Sequence, residues 1–344
     1  MSSTNVPPRP KKGADVPTKL SSVLDCKQGA VRAVRFNVDG NYCLTCGSDK
    51  TLKLWNPVRR ILLKTYTGHG YEVLDADGSC DNSQLVSCGM DKAVIVWDVS
   101  AGTTARVFRG HAGTVNCVRF NEDSSVVVSG GLDGQVKCWD VKSRRMEPIQ
   151  TLEECKDSVT ALDMSDHEIL VGSADGKVRR YDLRNGQLMT DYIGTAITSV
   201  SFTHDGQCVL VSSNGESVKL LDKSSGEMLS EYQGHINKNY RIEAVLNNTD
   251  HCVLSGSENG FVYIWDLVEG TLLHKLDHSD PVKKVEPEPT ASSTGSLVPD
   301  AWTSNRPSQS VVHSLTFHPK NIELLTAVKG KVFRWTNDLA QDEG

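Results

Sequence analysis

Apolar and polar residues alternate along this chain in short segments of about six, the two-residue period of a β-strand with one face buried. The segment Val115 to Phe120 (VNCVRF) shows the alternation, and turns rich in Asp, Asn and Gly separate such segments from one another. A second kind of segment closes on an aromatic residue or its replacement. It reads TLKLWN at Thr51 to Asn56, AVIVWD at Ala93 to Asp98, QVKCWD at Gln135 to Asp140 and KVRRYD at Lys177 to Asp182. It continues as SVKLLD at Ser217 to Asp222, FVYIWD at Phe261 to Asp266 and KVFRWT at Lys331 to Thr336. The pattern predicts an all-β fold.

The closing position recurs at Trp55, Trp97, Trp139, Tyr181, Leu221, Trp265 and Trp335, in steps of 42, 42, 42, 40, 44 and 70. The last step exceeds 42 by 28, and Lys283 to Ser310 is a 28-residue stretch rich in Pro, Ser, Thr and Glu. That stretch, 283–310, is expected to be a disordered insertion between the sixth and seventh units. The polar, proline-bearing start, 1–17, reads as a disordered arm with Arg9, Lys11 and Lys12 as solvated charges. With an acidic tail at 337–344 also set aside, 291 residues remain for the body at 18–336, about 6.9 units of 42.

Inside the unit, residue types recur at constant separation. His111 lies 28 residues before Trp139 and Asp133 lies six before it, with Ser129 between them; His69, Ser87, Asp91 and Trp97 repeat the arrangement. Four-stranded units of this period, with Gly-His at one end and Trp-Asp at the other, are the signature of a seven-bladed WD-repeat β-propeller. After Trp335 too few residues remain for a fourth strand, whereas Lys19 to Cys26 (KLSSVLDC) stands where a blade's outer strand belongs. The N-terminal strand is therefore expected to complete the last blade and close the ring.

The His, Ser and Asp sets resemble hydrolase triads, in which a base activates one exposed nucleophile. An active site is needed once, yet the set stands complete twice and returns as His235, Ser255, Asn259 and Trp265. Recurrence favours a structural network in which His links the turn Asp to Ser and to the Trp indole N–H. The other units lose members: Lys27 stands at the His position of the first, and Lys329 at the Asp position of the seventh, which keeps His278. Asp175 and Tyr181 remain in the fourth without His, and the fifth has Gly215 and Leu221. Blades two and three are expected to be the most rigid. Phosphate-binding, metalloprotease and metal-spaced motifs are missing, so no cofactor, no metal and no catalysis are expected.

Composition adds limits. The 344 residues are 38% hydrophobic and 23% charged, with a net charge of −6, which gives no reason to expect direct nucleic-acid contact. No run approaches the roughly eighteen apolar residues that span a bilayer, and the start lacks the apolar core of a signal sequence. A monomeric propeller in the cytoplasm and nucleus, away from membranes, is the expectation. The ten cysteines are then expected as thiols, with the C-x-x-C of Cys43 and Cys46 buried inside a strand.

What remains for function is surface. WD-repeat propellers often grip partners on the face that carries the loops leading into each inner strand, together with the residue before each turn Asp. Carried onto this sequence, the candidates are Arg32, Glu72, Leu74, Met90, Asn116, Leu132, Arg241 and Glu243, with His313 further on. Leu74, Met90 and Leu132 are expected to form one apolar patch bordered by Arg32 and Glu72.

Several stretches are more specific than the repeat. Gly29 to Pro57, Gly68 to Ala76 (GHGYEVLDA), Ser165 to Leu170 (SDHEIL), Val178 to Arg184 (VRRYDLR), Asp205 to Cys208 and Trp265 to Gly270 (WDLVEG) resemble the mitogen-activated protein kinase organizer family. The resemblance implies a noncatalytic scaffold for kinase-cascade components that also associates with spliceosomal proteins, and it suggests a link to a prolyl hydroxylase. Two other readings stay open. Tyr181-Asp182-Leu183-Arg184 approximates the Trp-Asp-x-Arg ending of substrate receptors of cullin-type ubiquitin ligases, although Lys142 stands at the Arg position of blade three. An enzyme built on the His, Ser and Asp sets is the other.

Overall fold

A four-stranded unit with apolar residues on both faces finds cover only against another such unit, and a ring of units leaves no blade uncovered. The computed structural model describes residues 16–278 and 310–337. Within them, 28 strands form seven four-stranded antiparallel sheets, the blades of a propeller. Six blades take their strands consecutively. Blade one, for example, runs through Val31–Phe36, Cys43–Gly47, Thr51–Asn56 and Ile61–Thr67, from the central channel outward. The third strands match the sequence pattern, except that the one in blade three begins at Val136 rather than Gln135.

The ring closes through the two ends of the described chain. The strand Lys19–Asp25 pairs antiparallel with Lys331–Thr336, bringing Leu24 opposite Val332 and Asp25 opposite Lys331. Leu24 and Cys26 then pack with Val31, Val34 and Trp55 of blade one and with Leu325 and Val332 of blade seven. The expected arm is shorter than the sequence suggested. Val16, placed in the arm at 1–17, is 2% exposed and packs with Ile264, Leu276 and Phe333 between blades six and seven. An apolar side chain next to a closing strand gains cover that composition alone does not reveal. Ser310 of the expected insertion is half-buried; the rest of the arm, residues 279–309 and the tail from 338 lie outside the described residues.

The core is divided among the interfaces between blades. Each of seven apolar clusters draws on two neighbouring blades, as where Leu44, Leu52 and Tyr66 of blade one meet Val73, Leu85 and Trp97 of blade two. An aromatic on the outer strand of one blade lies against the closing Trp of the next: Tyr66 on Trp97 at 5.6 Å, Phe108 on Trp139 at 5.2 Å and Tyr232 on Trp265 at 6.0 Å. In blades two and three the Gly of the Gly-His pair makes room for this. A Cβ at Gly68 or Gly110 would stand 2.9 Å from the Trp97 or Trp139 ring, too close for any heavier residue.

Candidate interaction site at the channel mouth

In blades two and three the recurring polar residues form a closed chain of hydrogen bonds. His69 Nδ1 donates to Asp91 at 2.9 Å, Nε2 accepts the Ser87 hydroxyl at 2.8 Å, and the Trp97 indole N–H donates to Ser87 Oγ at 2.8 Å. His111, Asp133, Ser129 and Trp139 repeat this at 3.0, 2.9 and 2.8 Å. Both serines are 0% exposed, so neither presents a nucleophile to solvent. Burial holds the His111 imidazole below its ordinary range despite Asp133, so the ring is neutral. Burial works to raise Asp91, and the bonds from His69 and the Gly70 amide outweigh it.

The set in blade six does not close. Both ring nitrogens of His235 are buried without a partner, Ser255 Oγ donates to Gly256 O at 3.0 Å, and the Trp265 indole donates to Gln233 O at 3.2 Å. The cause is Tyr263, which stacks on Trp265 at 5.7 Å and accepts at its hydroxyl the amide of Asn259, the group that stands for the turn Asp. His235 is left edge-on to Trp265, and burial pushes its pKa down to about 4.

Two blades restore part of the chain around a Thr, which spacing did not identify, in place of the Ser. In blade one, Gln28 rather than Lys27 bonds Thr45 at 2.5 Å, and the Trp55 indole donates to the same hydroxyl at 2.9 Å. In blade seven, His278 Nε2 bonds Thr326 Oγ1 at 2.7 Å, and Trp335 donates to it at 3.1 Å.

The inner strands carry a second network, inside the channel. Arg35, Asp77, Arg119 and Asp163 occupy the same register position in blades one to four. Asp77 accepts the Phe120 amide at 2.9 Å and Asp163 the Phe202 amide at 2.8 Å, tying each blade to the next. Above them Asp75, fully buried, receives Arg35 at 2.8 Å and Arg119 at 2.9 Å. Burial works to raise Asp75, but Arg119 and Arg35 hold it below the usual carboxylate range. Glu243 comes from blade six to take both ends of Arg35, at 2.5 and 2.9 Å, and accepts Ser314 Oγ of blade seven at 2.5 Å. Sequence reasoning missed Arg35, Asp75, Arg119 and Ser314. An acid at Asp75, where blades one and three have Ala33 and Cys117, was the available signal.

Above this cluster the channel opens into a concavity of about 230 Å³ lined by Arg32, Leu74, Met90, Asn116, Tyr240, Arg241, Glu243 and His313. Six of the eight sequence candidates thus converge there. Arg32 is held by Glu72 at 2.9 Å, which places Glu72 beside the rim. Met90 is 43% exposed, and its amide donates to Glu72 O at 3.0 Å, fixing the turn against the incoming loop. The Leu132 amide makes the same kind of bond to Thr114 O at 2.7 Å, but its side chain, 58% exposed, stands on blade three outside the concavity. Glu243 faces inward and spends its oxygens on Arg35 and Ser314. Tyr240, which the sequence did not single out, packs its ring edgewise on His313 at 5.4 Å.

The remaining candidate chemistry is internal. Tyr181 donates its hydroxyl to Glu154 at 2.9 Å, and Arg184 folds back on Asp182 at 3.2 Å. Among the described residues one trio, His167, Glu168 and Asp182, brings possible metal-ligand atoms within 4.8 Å of one another. Lys223 and Arg180 already face Glu168, so cations of the chain itself hold that place. Cys43 and Cys46 are 0% and 1% exposed, and burial pushes both thiols well up.

Comparison with known proteins agrees with this geometry. The family described as WD domain, G-beta repeat matches residues 18–56 and 226–266, and that described as Nucleolar protein 10-like, N-terminal domain matches 75–244. The chain is 59% identical over 338 residues to the WD repeat domain-containing protein 83 of Rattus norvegicus, with 98% of each covered. The protein of that name in Homo sapiens is 58% identical over 337 residues, again covering 98% of each. The WD repeat domain-containing protein 83 homolog of Dictyostelium discoideum is 35% identical over 304 residues, covering 80% of this chain and 94% of the homolog.

Proposed function

The chain belongs to the WD repeat domain-containing protein 83 family of noncatalytic WD-repeat propellers, and we propose that it is a protein-interaction platform whose gripping face is the channel mouth. The observation that carries this reading is the convergence of Arg32, Leu74, Met90, Asn116 and Arg241, drawn from four blades, on one concavity. An exposed Met with arginines and a Tyr around it is the composition of an interface rather than of a solvated face. The ring holds these residues at fixed separations, so little order has to be imposed when a partner docks.

The resemblance to the mitogen-activated protein kinase organizer supports kinase-cascade components as partners in the cytoplasm. It equally supports spliceosomal proteins in the nucleus, with a prolyl hydroxylase as a further partner. Affinity purification from separate cytoplasmic and nuclear extracts tests both halves. Wild type should retain kinase components from the first and splicing factors from the second. Met90→Asp, with an unchanged melting temperature, should lose them, and Leu132→Asp should lose less. Full retention by Met90→Asp would remove the mouth as the gripping face.

A further inference from the structure

Resting on the reading of the mouth as the gripping face, we propose that it takes an acidic side chain of the partner onto Arg241, with an apolar neighbour of that residue on Leu74 and Met90. Arg241 crosses the mouth from blade six to blade three and donates Nη1 to the Asn116 carbonyl at 2.7 Å, across 125 residues of sequence. Asn116 is itself pinned, its amide donating to Ser158 Oγ at 2.9 Å and to Val159 O at 2.7 Å. The guanidinium is therefore held in place before any partner arrives. Its other edge is unused: Nε is buried without an acceptor, and Nη2 makes no hydrogen bond among the described residues. Nε is closed to an incoming group, so Nη2 is the donor that a carboxylate reaches.

Of the two arginines that line the mouth, Arg241 is the one without an ion-paired carboxylate among the described residues. Arg32 has Glu72 at 2.9 Å. Glu243 carries its negative charge against Arg35, which holds it bidentately, and Asp75 stands between Arg35 and Arg119. Arg119 also lies in the field of Asp77 and Asp163, so the carboxylates inside the channel are engaged by Arg35 and Arg119. Among the described residues Arg241 has no carboxylate within ion-pair distance. His313 is neutral, since burial lowers its pKa. An incoming acid can therefore pair with Arg241 without displacing a carboxylate of the chain, and Glu258, the acid nearest His313, is already held by the amides of Lys238, Asn239 and Tyr240.

Size points the same way. About 230 Å³ is below the roughly 300–1,000 Å³ of small-molecule pockets, so the mouth suits one or two side chains of a docked protein. Leu74, Met90 and Tyr240 line the same concavity as Arg241 and supply its apolar wall, which sets the preference for an acid next to an apolar residue.

The test is selection of peptides from a random nine-residue phage library on the immobilised full chain, followed by titration of the best synthetic peptide. Peptides with Asp or Glu beside Leu, Met or Phe should be enriched. Changing that acid to its amide, or Arg241→Gln in the protein, should each weaken binding about ten- to a hundredfold, and the two changes together should cost little more than either. Arg241→Lys, which keeps the charge and loses the guanidinium held on the Asn116 carbonyl, should fall between. Melting curves check that the variants fold, and acidic peptides selected on wild type should keep a strong salt dependence. Enrichment of basic peptides, of peptides without an acid, or of none would overturn the proposal, as would selected peptides that bind Arg241→Gln unchanged. If Met90→Asp abolishes binding while Arg241→Gln does not, the mouth remains the gripping face and only the acidic anchor falls. If neither variant matters, both readings fall.

Discussion

Arg35 and Glu243 lie 208 residues apart in the chain, yet the guanidinium of one meets both oxygens of the other inside the channel, at 2.5 and 2.9 Å. With Asp75, Arg119 and Ser314 they brace blades one, two, three, six and seven across the space that strand pairing leaves open. Removing one partner leaves a buried charge without its complement. Arg35→Met is expected to cost about 3–5 kcal/mol, because Asp75 and Glu243 then face each other with less compensation. Arg35→Met with Glu243→Gln should recover part of the loss. Urea unfolding of the single and double variants measures both, and an additive double variant would show that the brace is not a unit.

Stability should fall on mild acidification, through histidines that the fold keeps neutral. Burial brings His235 and His278 down to about 4 from an ordinary value of 6.5. Between those values the unfolded chain binds protons that the folded chain refuses, so the contribution of these two histidines declines as pH falls from about 6.5 toward 4 and is flat above it. Each histidine contributes at most about 3 kcal/mol to this decline. Asp91 and Asp133, held below the usual carboxylate range, give up their contribution only at still lower pH. His235→Leu should flatten the decline and should not destabilise at pH 7, since its ring nitrogens have no partners to lose. Melting temperatures from pH 7.5 to 4.5 decide it.

The closing strand separates two truncations. Deleting residues 1–15 leaves every described residue in place, whereas deleting 1–26 strips Leu24 and Cys26 from the interface of blades seven and one and leaves Lys331–Thr336 as an unpaired edge. The longer deletion is expected to lower the melting temperature by more than 10 °C, roughly what losing several buried side chains costs. The shorter should change it by less than about 2 °C. Equal melting curves would show that the strand does not clasp the ring.

The polar chains should make blades two and three the slowest to open. Ser129→Ala breaks two bonds to one buried oxygen and should cost about 1–3 kcal/mol, whereas Ser255→Ala breaks a single local one and should cost about 1 kcal/mol or less. Hydrogen exchange should show slower indole and strand amides around Trp97 and Trp139 than around Leu221 and Trp265.

The propeller was legible because everything that defines a blade lies within one repeat. Strand alternation, the Asp turn, the closing Trp and the Gly that makes room for it are separated by fixed, short distances, so the same spacing recurs whatever the ring does. Even the ring's closure by Lys19 to Cys26 could be read, from a strand too few at one end and one too many at the other. Spacing failed where a neighbour could substitute. Gln28 does at one residue's displacement what Lys27 cannot, and Tyr263 takes Asn259 away from His235; both outcomes depend on where side chains reach rather than on where they fall in the count.

The channel was beyond the sequence for a different reason. Arg35, Asp75, Arg119, Glu243 and Ser314 belong to five blades, and nothing in the local pattern of any one says which charge will face which. The repeat determined by itself that there would be seven blades, and that the His, Ser and Asp sets of blades two and three would be ties rather than catalysts. Only closure of the ring decided that Glu243 turns inward to Arg35 while Arg241 reaches across to Asn116. Charges that share no local segment meet only when the inner strands converge on one axis, and there burial makes their pairing strong enough to matter.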